Sequence, residues 1–196
     1  EMLSSVRQLV PEQRVAFDNV IGYCKELMKS RANGGKKPKP PLLIIHGGAG
    51  SGKSKMIKDI CQWSEYFLRT DDDRSPDQPL IVKAAPTGKA ASVIEGLTLH
   101  SAFSFKFNCD YSSLSDEKRE KARRDLAYLT ILIIDEVSMV KADLLYQLNQ
   151  RLQEVKQNKD MFGGVCVLLF GDLMQLQPVR ARWIFATPQN EVRFCQ

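Results

Sequence analysis

Nothing in these 196 residues approaches the roughly 20 consecutive apolar positions needed to cross a bilayer. The first residues, Glu1-Met2-Leu3-Ser4-Ser5, lack the basic-then-apolar layout of a signal peptide. Together these absences predict no membrane and an intracellular protein. The five cysteines (Cys24, Cys61, Cys109, Cys166, Cys195) include no C-x-x-C pair, and the two histidines stand apart from them in sequence. That spacing argues against a zinc site and a disulfide framework, leaving reduced thiols, several of them in the core. Extreme composition is missing too: 43% hydrophobic and 26% charged residues are ordinary for one globular domain. The net charge is only +5, yet residues 25–58 hold nine basic side chains and a single acid, Glu26. Such a patch suits a polyanion, although Lys36-Lys37-Pro38-Lys39 alone reads equally well as a solvated loop.

What is present is organised around Gly47-Gly48-Ala49-Gly50-Ser51-Gly52-Lys53-Ser54. The run fits G-x-x-x-x-G-K-[ST], in which small residues let successive backbone N–H groups curl around a polyphosphate. An ordinary glycine-rich turn is the competing reading. The flanks decide against it, because residues 41–46 (Pro-Leu-Leu-Ile-Ile-His) read as a buried strand entering the loop, and Lys53 opens a helix whose N-terminus faces the anion. Lys53 then neutralises the β- and γ-phosphates, and the Ser54 hydroxyl ligates Mg²⁺.

Ahead of the loop, Phe17, Val20, Ile21, Cys24, Leu27 and Met28 fall at helical spacing behind Pro11 and Glu12, predicting an amphipathic helix over 11–30. Gln13 at its start is either a plain surface residue or, beside a phosphate loop, a carboxamide able to pair with N6 and N7 of adenine. Residues 33–40 read as a linker. Beyond the loop, Met56, Ile57, Ile60, Cys61 and Phe67 mark the apolar face of a helix, and 71–79 an acidic loop without assigned function. A second strand over 80–84 runs into Ala85-Pro86-Thr87-Gly88-Lys89-Ala90-Ala91, whose polar tip belongs at the carboxyl edge of a parallel sheet, where open α/β sheets bind ligands. His100 and Phe103 in the following stretch are packing residues or contacts.

Residues 116–126 mix acids and bases and predict a solvated helix with i,i+4 pairs. The run Thr130-Ile131-Leu132-Ile133-Ile134 predicts a buried strand that delivers Asp135 and Glu136 at its carboxyl end. Adjacent carboxylates there are costly unless solvated, paired or bound to a cation. In a phosphate-loop protein Asp135 holds Mg²⁺ through water and Glu136 polarises the attacking water. A helix marked by Leu144, Leu145, Leu148, Leu152 and Val155 and a buried strand over 165–170 follow, ending in Gly171-Asp172-Leu173-Met174-Gln175. Asp172 and Gln175 therefore share the sheet edge with the loop and Asp135.

Gln13, the phosphate loop, Ala-Pro-Thr-Gly-Lys-Ala-Ala (85–91), Thr-Leu-His-Ser-Ala-Phe (98–103), Ile-Ile-Asp-Glu-Val-Ser-Met (133–139) and Gly-Asp-Leu-Met-Gln-Leu-Gln-Pro-Val (171–179) occur in the order found in Pif-type DNA helicases. Over nearly its whole length the chain resembles this group, a superfamily-one branch related to RecD that includes the helicase parts of Helitron transposons. The resemblance implies an α/β, RecA-like P-loop NTPase fold with a mostly parallel central sheet flanked by helices. It implies ATP and Mg²⁺ as cofactors, and translocation along single-stranded DNA from 5′ to 3′. It implies that Gln13 reads adenine, that Gly48, Ala49, Gly50, Ser51, Gly52, Lys53 and Ser54 cradle phosphates, and that Ser54 and Asp135 hold the metal. Glu136 would serve the attacking water and Gln175 the γ-phosphate, while Pro86, Thr87, Gly88, Lys89, His100, Ser101 and Phe103 would contact DNA.

The expected organisation is 1–40 as adenine-motif helix and basic linker, 41–179 as the first of two motor domains, and 180–196 as the start of a linker to a second. Gln177 departs from the family's usual proline. The arginines and DNA contacts of a second RecA-like domain are not in the sequence, so the expectation is an ATP-binding domain that hydrolyses slowly and does not unwind. Nuclear or mitochondrial placement, if the source is eukaryotic, is equally compatible. Two other classes stay open: another phosphate-loop enzyme, such as a small-molecule kinase or AAA-type ATPase, and a nucleotide-gated module that docks DNA or protein without turnover.

Overall fold

Among the described residues five short runs pair side by side into one all-parallel sheet. They are β1 (Leu42–His46), β2 (Ile81–Ala85), β3 (Leu97–Thr98), β4 (Ile131–Ile134) and β5 (Cys166–Gly171), in the spatial order β1-β5-β4-β2-β3. The structure, a computed structural model, describes residues 2–69, 75, 78–106 and 111–175. Cys109, Cys195, most of the 71–79 loop, and the stretch 176–196 with Gln177 lie outside the described residues. β4 and β5 are buried along their entire length, which is why they are continuous runs of Ile, Leu, Val and Phe with no polar alternation.

Successive strand residues point to opposite faces, and the two faces build two cores. Ile131, Ile133, Cys166, Leu168 and Phe170 meet Val20, Ile21, Cys24 and Leu27 of α2 (Pro11–Asn33) and Met56, Ile57 and Ile60 of α3 (Lys53–Leu68). Leu132, Ile134, Val167 and Leu169 meet Leu148, Leu152 and Val155 of α7 (Ala142–Lys156), with Leu99, Phe103 and Phe105 closing the far end. A short α1 (Met2–Val6) leans on α3, where the Ser5 hydroxyl donates to the buried Asp59 carboxylate at 2.7 Å. No described helix is long and apolar enough to cross a membrane.

Several elements depart from the sequence expectations in instructive ways. α2 runs three residues further, through Asn33, and stops where Gly34 adopts φ +63°. The segment after β2 forms α4 (Gly88–Val93), and the pair Leu97–Thr98 then adds an edge strand before α5 (Leu99–Phe103). α6 (Asp116–Asp125) is solvated as expected, but its ion pairs, Arg119 with Asp116 and Arg123 with Glu120, join i and i+3. Cys24 and Cys166 are buried free thiols and Cys61 is half-buried.

Candidate functional site

All five strands are parallel, so their carboxyl ends share one rim, and the loops leaving that rim hold the sequence motifs. β1 is registered with β5 so that His46 lies opposite Gly171. The pairing continues into the loop, where Gly47 N–H donates to Gly171 O at 3.1 Å. Gly50 and Gly52 take φ +75° and +82°, which turns the chain back over itself. A Cβ on Gly47 would sit 2.5 Å from the Ser51 Oγ, so that hydroxyl would have to turn away. Helix α3 then starts at Lys53 with no side chain capping it, leaving its first N–H groups for an anion. Lys53 folds back onto the loop, and its Nζ donates to Gly47 O at 2.5 Å and Gly48 O at 2.9 Å. Ser54, in the first turn, is exposed.

β4 carries Asp135 to the same rim. Its backbone N–H donates to Ala84 O at 3.0 Å; the residue is 7% exposed, and its carboxylate accepts the Glu136 N–H at 2.9 Å. Glu136 itself sits at φ +52°, a left-handed conformation uncommon outside glycine. Strain of this kind persists only where the surroundings impose it. Here a short 3-10 turn, Val137–Met139, follows at once and buries Val137.

β5 delivers Asp172 and Gln175. Gln175 is exposed, in a turn closed by its N–H on Asp172 O at 3.1 Å. Asp172 Oδ1 accepts the Met174 N–H at 3.0 Å, and a Cβ on Gly48 would lie 3.8 Å from Asp172 Oδ2. His46, which sequence reasoning passed over, pins this turn to the end of β1: its Nδ1 accepts the Leu173 N–H at 3.1 Å. Only the β1/β5 register reveals that role. Lys53, Ser54, Asp135, Glu136, Asp172 and Gln175 therefore all belong to one rim. Two oxygen-bearing groups there, the Ser54 hydroxyl and the Asp135 carboxylate, have the chemistry of Mg²⁺ ligands, an ion that keeps most of its shell for water and phosphate.

Gln13 projects from the first turn of α2 onto the loop. Its Nε2 donates to Ser51 O at 2.7 Å, and its Oε1 accepts the Val10 N–H at 3.2 Å. A Cβ on Gly52 would come within 3.1 Å of that Nε2.

The remaining motif residues lie on the β2 and β3 side of the rim. Gly88 and Lys89 are exposed and Pro86 and Thr87 half-buried; the Thr87 hydroxyl caps α4 by accepting the Ala90 N–H at 3.2 Å. On α5, Ser101 is exposed and His100 half-buried against Phe105, with ring centroids 6.4 Å apart. Burial and then the Lys141 charge hold His100 below its ordinary pKa, so the ring is neutral at pH 7. Phe103 corrects the sequence reading: it is 3% exposed, packed in the core near Phe105, and offers no face for stacking on a base. Residues 99 and 103, four apart, share the inner face of α5, whereas 101 shows on the outside.

The sequence and the fold have relatives among known proteins. The sequence model of the PIF1-like helicase family matches residues 8–187. The ATP-dependent DNA helicase PIF1 of Emericella nidulans is 32% identical over 179 residues, covering 90% of this chain and 22% of that protein. The crystal structure of Pif1 helicase from Candida albicans superposes with a TM-score of 0.60 at 29% identity, covering 83% of this chain and 35% of that one. A Bacteroides Pif1 helicase in complex with ADP-AlF3 and single-stranded DNA superposes with a TM-score of 0.54 at 31% identity, covering 86% and 35%. The chain thus spans about a fifth of the curated relative it matches.

Proposed function

The chain belongs to the PIF1-like helicase family, and from that premise we propose that it is the ATP-driven motor domain of a DNA helicase that moves 5′ to 3′ along single-stranded DNA. The observation that carries the reading is the shared rim: a phosphate loop, a buried aspartate followed by a strained glutamate, and a polar turn held against the loop through Gly171 and His46.

Each group has a task in this reading. Lys53 exchanges the Gly47 and Gly48 carbonyls for the β- and γ-phosphates, while the uncapped N–H groups of α3 face the same anion. Ser54 and Asp135 hold Mg²⁺, which when bound offsets the charge of the phosphate oxygens. Glu136 takes the proton of the attacking water, Gln175 contacts the γ-phosphate, and Gln13 reads adenine. DNA runs over Pro86, Thr87, Gly88, Lys89, His100 and Ser101, where Lys89 supplies a cation for a backbone phosphate.

A second RecA-like domain is the partner proposed for the open side of this rim. Arginines contributed across such a cleft raise phosphoryl-transfer rates by about 10³ to 10⁵, so these residues alone turn ATP over slowly. The test is titration of the protein with Mg·ATP, with and without single-stranded DNA. Binding should be lost in Lys53→Ala, and DNA should alter nucleotide affinity in a way that weakens steeply with salt. Equal Mg·ATP affinity for Lys53→Ala and the parent would contradict the site.

A further inference from the structure

His46 ends β1 with an exposed ring, yet one nitrogen of that ring is committed across 127 positions of sequence, where Nδ1 accepts the Leu173 N–H at 3.1 Å. A backbone N–H can only donate, so the bond requires a bare Nδ1, the neutral ring with its hydrogen on Nε2. Leu173 belongs to a turn closed from within: Asp172 Oδ1 accepts the Met174 N–H at 3.0 Å, and Asp172 O accepts the Gln175 N–H at 3.1 Å. Gly47 N–H on Gly171 O fixes the base of this turn, and His46 fixes its side. Two charged side chains stand near the ring. Asp172 Oδ1 lies 3.9 Å from Nδ1, and the Lys53 ammonium is bonded to the carbonyl of the next residue, Gly47. A proton added at Nδ1 would meet the Leu173 N–H donor to donor and be drawn to the Asp172 carboxylate instead, releasing the turn.

We infer that His46 is a positioning residue for γ-phosphate recognition: its neutral ring sets the turn that presents Gln175, and the discrimination of ATP from ADP depends on the acceptor at Nδ1. This placement rests on the nucleotide-site reading of the rim and deepens it. His46 touches no phosphate and acts through Leu173 and Gln175, so the strand that enters the phosphate loop also supports the γ-phosphate contact from its last residue. A histidine that merely decorates a strand end would leave the ratio of ATP to ADP affinity untouched.

Asparagine offers an acceptor oxygen where histidine has Nδ1 and does not titrate, whereas leucine offers no acceptor. Calorimetry gives Mg·ATP and Mg·ADP affinities for the parent, His46→Asn, His46→Leu, Gln175→Ala, the double variant His46→Leu/Gln175→Ala, and Lys53→Ala. Thermal melts identify any variant that loses its fold. At about pH 8 the ratio of ATP to ADP affinity should fall about threefold to tenfold in His46→Leu, the scale of one hydrogen bond, and stay within about twofold of the parent in His46→Asn. The double variant should lose no more than Gln175→Ala alone. From about pH 8 to about pH 5.5, the range in which histidines gain charge, the parent's ratio should fall relative to that of His46→Asn. Protonation of the nucleotide itself acts on both proteins alike. An unchanged ratio in His46→Leu, additive losses in the double variant, or one pH profile shared by the parent and His46→Asn each overturns the positioning role. Should His46→Leu fail to fold, the pH comparison decides. Binding of both nucleotides that survives Lys53→Ala undiminished instead removes the phosphate site itself, a failure distinct from that of His46.

Discussion

Gly171 is where β5 touches the turn after Glu136, and one added methyl tests whether the halves of the rim are mechanically joined. A Cβ on Gly171 would lie 2.9 Å from Val137 N and 3.0 Å from Val137 Cγ1. Comfortable carbon contacts begin at about 3.5 Å, so strand and turn must part by roughly half an ångström. Val137 is fully buried, and a backbone nitrogen has no rotamer by which to escape. Overpacking of this kind costs about 1–3 kcal/mol. In a domain of this size each kcal/mol lowers Tm by about 2–4 °C, so Gly171→Ala should melt about 2–12 °C below the parent. The carbonyl of the same residue accepts the Gly47 N–H, so the displacement reaches the first residue of the phosphate loop and nucleotide affinity should fall as well. Gly22→Ala is the matched comparison: that glycine lies inside α2 with nothing within 4 Å of the new methyl, and the change should stabilise by about 0.5–1 kcal/mol. Scanning calorimetry and a nucleotide titration on both variants decide the matter. If Gly171→Ala melts and binds as the parent does, the two halves of the rim are not coupled through this contact.

Two further outcomes follow from the buried charges and thiols. Arg151, 3% exposed, donates to Glu154 at 2.7 Å and lies over the Tyr111 ring at 5.1 Å. Arg151→Met should therefore cost about 3–5 kcal/mol in urea denaturation, with Arg151→Met/Glu154→Met recovering part of it; strictly additive losses would refute the pairing. Burial pushes Cys24 and Cys61 up to about 11, and raises Cys166 further, so the folded state keeps protons that unfolded thiols release near pH 9. The stability tied to them is present below about pH 9 and is lost as pH rises toward the folded values. Lys156, held down to about 8 by burial and then by Lys37 and Arg31, works in the opposite sense between about 8 and 10.5. The thiol effect should thus appear as a falling Tm above pH 9 in Lys156→Met, and a flat Tm there would refute it.

The central strands were legible because burial on both faces forces an unbroken apolar run, and β4 and β5 are such runs. Strand order was not, since it depends on which faces pack, and the β1/β5 pairing that makes His46 useful is a property of register alone. β3 escaped notice because two residues carry no periodicity. The N-terminus of α5 was visible in principle, because Thr98 caps it by accepting the Ser101 N–H, but five residues leave little pattern to read. Phe103 shows the limit of motif reasoning. Membership of a motif says that a residue matters, whereas its spacing from Leu99 says that it faces the core.

Several polar groups of the rim are already engaged by the protein. Lys53 rests on two loop carbonyls, Gln13 on a third, and Asp135 on the N–H of a glutamate in a left-handed conformation. Each contact satisfies a group that would otherwise stand unpaired at a half-buried edge. On the proposed function, binding a nucleoside triphosphate would be an exchange, in which Lys53 gives up the Gly47 and Gly48 oxygens for phosphate oxygens. The net gain is smaller than the number of new contacts suggests. On the same reading the shape of the loop would depend on what occupies it, and because Gly47 is tied to Gly171, and Gly171 packs against the turn at Val137, that dependence would reach Asp135 and Glu136. The motor proposed above needs such a path from phosphate to the carboxylate proposed to be catalytic, and Gly47, Gly171 and Val137 supply contacts along it.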